Sequence, residues 1–189
     1  MDRQDILNGY ATDMHAVENH IFEAVERQCD TDDVKRYPEA NKLVNDIKAT
    51  MQRHGAALEP YISAKDGDLK DAVKGAAFKA LGAAAGFWDQ IRQQDQVSRM
   101  LRDDYAALSF AAVCYEMLHT TALALKDQRL ADLSASHLKD ITPLIVETSK
   151  TICLVVAREL SDQDKSIDAS VGQMAVKNTQ EAWSSQYVS

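Results

Sequence analysis

Leu7, Tyr10, Met14, Val17, Ile21 and Val25 step along the chain by alternating threes and fours. An α-helix gathers residues at that spacing onto one face, whereas a strand repeats every second residue. The same stepping recurs in Leu43, Ile47, Met51, His54, Leu58, Tyr61 and Ile62. It appears again in Leu101, Tyr105, Leu108, Ala112, Tyr115, His119 and Ala122. A chain patterned this way must bury helix faces against one another. Seven glycines and three prolines in 189 residues leave few breakers to interrupt them.

Breakers and cap formers set the boundaries. The first long helix runs from about Asp5 to Arg27 and stops at a turn rich in Asp and Thr, residues 29–33. The second starts at Pro38, a favoured first helical residue, with Pro60 tightening or kinking its last turn. The third runs from near Ser98 to about Lys126, and the fourth from about Arg129 to Leu160. Pro143 interrupts the fourth, which reads as two collinear pieces with Thr142 capping the second. Residues 65–97 form a weaker amphipathic connector, in which Gly82 and Gly86 permit close approach or a break. Two helical hairpins joined by a crossover are expected over residues 1–161. The tail, 162–189, is polar, and its Trp183 and Tyr187 fit either docking or a frayed end.

Charge and cysteine usage narrow the function classes. The formal net charge is −8 and no basic block occurs, which argues against a nucleic-acid face. The N-terminal stretch is too polar for a signal peptide, and no run of about 18 apolar residues is evident, so no membrane span is expected. Cys29, Cys114 and Cys153 are odd in number and unpatterned, which fits a reducing cytoplasm, with the last two as small core residues. Nucleophile elbows, Gly-rich phosphate loops, HExxH and CxxC are all missing, leaving little support for a hydrolase or transferase.

Ionisable residues fall among the apolar faces. Glu18 borders the first stripe, His54 lies on the second, Glu116 and His119 flank the third, and Glu147 stands on the fourth helix. Carboxylates bridging hard cations, with imidazoles completing the coordination, are what a di-metal centre in a bundle core requires. Each residue also has a plainer reading as a hydrogen-bonded or flanking polar group. His15, His20 and His137 read as surface or cap residues.

The stretches HAVENHIFEAVERQ, KATMQRHGAALEPYI and AAVCYEMLHTTALAL resemble the first three helices of the YciE/YciF-like branch of the ferritin-like superfamily. The resemblance implies an all-α, ferritin-like four-helix bundle, a homodimer or larger homo-oligomer, in a bacterial cytoplasm and associated with stress responses. It implies metal ligands at Glu18, His54, Glu116 and Glu147, to which the Glu-x-x-His spacing on the third helix adds His119, for iron or manganese. This chain departs from the pattern of Glu-x-x-His on helices two and four. Met51 stands three residues before His54, and Lys150 three after Glu147. Lys150 could replace a cation by pairing with a core acid. Two functions follow: a metal-binding stress protein, or a non-catalytic bundle for assembly or partner binding with a metal-free site.

Overall fold

The structure is a computed structural model and describes residues 2–62 and 96–184; the connector proposed at 65–97 lies almost entirely outside them, as does Tyr187. Among the described residues the fold is all-α: α1 (Arg3–Cys29), α2 (Asp32–Lys35), α3 (Pro38–Leu58), α4 (Val97–Leu125), α5 (Gln128–Gln163) and α6 (Val171–Ser184). Pro60 sits in a 3-10 turn, Glu59–Tyr61, that ends α3 rather than kinking it.

The four long helices share one core, to which α1 gives Met14, Val17 and Ile21, α3 gives Leu43, Ile47 and Met51, α4 gives Leu101, Leu108 and Leu118, and α5 gives Leu130, Ile141 and Val155. Cross-helix pairs fix their directions. Glu18 meets His54 while Glu26 meets Lys48, so α1 and α3 are antiparallel. Glu18 meets Tyr115 while Gln28 meets Asp104, so α1 and α4 are antiparallel as well. Arg53 with Asp140 and Arg158 with Glu39 oppose α3 to α5. Consequently α3 and α4 run the same way, and the end of one lies at the opposite end of the array from the start of the other.

The α4–α5 turn is tight. Lys126 takes the left-handed conformation, φ 63°, and is the single non-glycine among the described residues to do so. Its N–H donates to Leu123 O at 3.1 Å and that of Asp127 to Ala122 O at 2.9 Å, closing the last turn of α4. The Asp127 carboxylate then accepts from Leu130 N at 3.0 Å and opens α5.

Two expectations need correction, and the tail takes one of the two courses open to it. Helix α5 is continuous through Pro143, and the Thr142 hydroxyl donates back to Leu138 O at 2.8 Å instead of capping a new piece. The missing N–H of Pro143 frees one carbonyl, which a long helix packed on both sides tolerates. The tail includes a helix, α6, docked on α5: a Cβ on Gly172 would come within 3.1 Å of Ala157 Cβ and of Cys153 O. Trp183 closes the other end of α6 edge-on to Tyr105 of α4, with ring centroids 6.3 Å apart. Finally, α4 is long and apolar enough to cross a membrane by length and composition alone, a test that a core helix also passes. Between Asp104 and Lys126 it carries only Glu116 as a full charge.

Candidate functional site

Each of the four long helices places a polar side chain at the centre of the core. Glu18 of α1 and His54 of α3 are 0 % exposed, as is Tyr115 of α4, and His137 of α5 is 5 % exposed. Glu18 Oε1 lies 3.0 Å from His54 Nδ1 and also accepts the Tyr115 hydroxyl. His137 Nδ1 is 2.7 Å from the same hydroxyl oxygen. Tyr115 has one proton and gives it to Glu18, so His137 donates to Tyr115 as a neutral imidazole. The far nitrogen of His54, Nε2, lies 3.0 Å from Asp140 Oδ2, which also receives Arg53 at 2.8 Å. A chain of hydrogen bonds therefore runs from His137 in the core to the exposed Arg53.

Burial and charge shape its protonation. Burial pushes the Glu18 carboxyl above its ordinary range, against the bonds from His54 and Tyr115. Burial, reinforced by His54 alongside, pulls His137 down to about 3. Burial, and then the Glu18 carboxylate, drive the Tyr115 phenol far upward, so it stays a donor. The bonds from His54 and Arg53 hold Asp140 below the usual carboxylate range.

Glu18, His54 and His137 each offer one ligand atom within 4.8 Å of the other two, and the cluster could hold a metal ion. Two features support that use. Glu18 Oε2 is buried without a hydrogen-bond partner. Asp140 on the far nitrogen of His54 matches the outer carboxylate that orients a metal-bound histidine. One feature opposes it. The His54 and His137 rings are stacked, 3.7 Å between centroids and 3° between planes. An imidazole binds an ion close to its own ring plane, so an ion in one plane lies over the face of the other ring. One ring would have to turn before both could ligate.

Of the five residues singled out in the sequence, the fold brings together Glu18 and His54. Glu116 is exposed on α4, with its neighbour Tyr115 in the core instead. His119 is half-buried at the α4–α5 seam, its Nδ1 2.8 Å from Ala131 O. Glu147 is exposed and pairs loosely, at 3.7 Å, with Lys150. Lys150 therefore answers a surface acid and does not replace a core cation. His137, read as a surface or cap residue, is a core member, and Tyr115 and Asp140 complete the network.

The signal for His137 was present. Leu130, Ser134, His137, Ile141, Thr148, Thr151 and Val155 are all buried on α5 and repeat at three- and four-residue steps or their sums. Ser134, Thr148 and Thr151 disguise that stripe as a polar face, which put Glu147 one residue off it. On α4 the buried line runs Leu101, Asp104, Leu108, Ala111, Tyr115, Leu118, Ala122. Tyr105, Ala112 and His119 lie one residue further on and face the flank. Compared with known proteins, the chain matches no family model, no curated protein and no solved structure.

Proposed function

We propose that this chain is a ferritin-like bundle whose di-metal centre has become a metal-free hydrogen-bonded core, and that it acts as a non-catalytic assembly unit. Ferritin-like di-metal centres draw one Glu from each of two helices and a Glu-x-x-His from each of the other two. The six corresponding positions here are Glu18, Tyr115, Met51 with His54, and Ser134 with His137, all buried. Three of the four carboxylates are thus Met, Tyr and Ser. One carboxylate leaves two divalent ions with most of their charge uncompensated in a low-dielectric core. Tyr115 instead bridges Glu18 to His137 where a metal would. The observation that carries this reading is the parallel stack of His54 on His137, which rings bonded to separate partners can adopt and ligands of one ion do not.

A second reading is a single iron or manganese ion held by Glu18, His54 and His137, favoured by the bare Glu18 Oε2 and by Asp140 behind His54. It needs one ring to turn and His54 Nδ1 to lose its proton. For assembly, Phe110, Val113 and Met117 stand exposed at three- and four-residue steps on the charge-poor α4. That seam suits a helix of a second copy in a homo-oligomer. The three cysteines, all unpaired, support a reducing, cytoplasmic setting.

Elemental analysis after anaerobic exposure to Fe(II), Mn(II) and Zn(II) decides between the two. The first reading expects no stoichiometric metal and no rise in Tm with any of them. One ion per chain, lost in Glu18→Gln and in His137→Asn, overturns it in favour of the second. Sedimentation of Met117→Glu tests the assembly role, with a smaller species expected than for the parent.

A further inference from the structure

Away from the central network, a second buried carboxylate joins α1 to α4. Asp104 is 4 % exposed and sits on the buried line of α4 between Leu101 and Leu108. Its Oδ1 accepts from Gln28 Nε2 of α1 at 2.8 Å. The other oxygen of each group, Asp104 Oδ2 and Gln28 Oε1, is buried with no partner. Both are acceptors whenever Asp104 is ionised, so both would be desolvated without return. A proton on Oδ2 changes this. A carboxylic acid and a primary amide are complementary edge to edge, each donating once and accepting once.

We propose that Asp104 and Gln28 form a proton-operated latch that fastens the end of α1 to α4. In the closed state Asp104 is a neutral acid, taking the Gln28 N–H on Oδ1 and giving its own O–H to Gln28 Oε1. Loss of the proton removes the second bond and sets two oxygen lone pairs against each other. The surroundings favour the neutral form. Burial pushes the Asp104 carboxyl up to about 7, with Gln28 opposing and the neighbouring Asp103 adding to the rise. Asp103 is itself bonded to Arg102 at 2.9 Å. At this end of the molecule Glu159 of α5 is taken by Ser98 N and Oγ, and Tyr37 by Asp162 of α5. Asp104 also faces the last turn of α1, whose carbonyl ends disfavour a negative charge.

What the latch holds is the α1–α2 corner. The main-chain carbonyl of Gln28 accepts from Thr31 N at 3.1 Å and from Thr31 Oγ1 at 2.8 Å. Thr31 in turn caps α2, its Oγ1 3.4 Å from Val34 N. Releasing the Gln28 side chain therefore frees α1's last turn and α2 together.

The test is hydrogen exchange of the intact chain over residues 25–36 between pH 5 and 8.5, corrected for intrinsic rate. An open state that ionises near the ordinary Asp value gives an opening constant rising about tenfold per pH unit up to about 7, then level. Asp104→Asn presents a permanent amide edge to Gln28 and should abolish that slope while keeping the corner protected at pH 8. Carboxyl ¹³C NMR of the parent protein gives an independent reading, with Asp104 expected to titrate near 7. A slope that survives Asp104→Asn, or an Asp104 resonance already ionised at pH 5, overturns the latch.

Discussion

Replacing Tyr115 with Phe removes a single oxygen from the centre of the core and leaves the ring's packing intact. That oxygen serves two partners, donating to Glu18 Oε1 and accepting from His137 at 2.7 Å. A hydrogen bond to a charged group contributes roughly 1.5–3 kcal/mol, and a buried donor left without an acceptor costs about 1–3 kcal/mol. The orphan here is the His137 Nδ1–H, since Glu18 keeps His54. The two figures partly describe the same loss, so the expected destabilisation is about 3 kcal/mol. In a chain of this size that lowers Tm by roughly 6–12 °C. The loss should depend on pH with a definite sign. Burial already holds Glu18 above its ordinary value of 4.5, and the Tyr115 bond is one of the interactions restraining the rise. Without it the folded-state value climbs further. A raised carboxyl destabilises the fold as pH rises above the unfolded value, so Tyr115→Phe should cost more at pH 8 than at pH 5. Urea denaturation at both pH values measures this. Adding His137→Leu removes the orphaned donor and should recover part of the loss in a double-mutant cycle. A cost below about 1 kcal/mol at pH 8, or additivity of the two substitutions, would show that Tyr115 does not connect Glu18 to His137.

Four further outcomes are expected. His137 titrates near 3 when folded and near 6.5 when unfolded, so its neutral burial stabilises fully above 6.5 and is lost as pH falls below it. Urea midpoints should therefore decline below about pH 6.5, on the order of 4 kcal/mol in total by pH 3, and His137→Phe should flatten that limb. Lys126→Gly relieves a left-handed residue with φ 63° and should raise stability by about 1 kcal/mol, read by thermal melting. Glu116→Gln and Glu147→Gln alter exposed positions and should move stability by less than about 0.5 kcal/mol, while Gly172→Val should loosen α6 and shift the Trp183 emission.

The all-α architecture was legible because apolar periodicity reports directly on which face of a helix is buried. The first two stripes contained almost nothing but large apolar residues, and the positions taken from them, Glu18 and His54, are in the core. The last two long helices misled because both of their buried lines include polar residues. Asp104 on α4, and Ser134, His137, Thr148 and Thr151 on α5, are buried yet score as surface. On α4 the apolar stepping kept Tyr115 but took Tyr105, Ala112 and His119, each one residue and about 100° past the buried Asp104, Ala111 and Leu118. The tail helix was obscured for a different reason. It is fastened by a glycine contact at one end and a tryptophan edge at the other, and neither leaves a periodic trace.

The central network has a geometric consequence for how the helices settle against each other. Apolar side chains forgive axial sliding, since one leucine replaces another at similar energy a turn away. A slip of one turn, about 5.4 Å, is far longer than any hydrogen bond. Glu18, His54, Tyr115 and His137 come from four different helices, so displacing any one of them breaks at least one buried hydrogen bond of the set. The array then has one low-energy alignment where a wholly greasy interior would have several. This small polar knot works as an alignment key, trading some stability for a unique arrangement of the four rods.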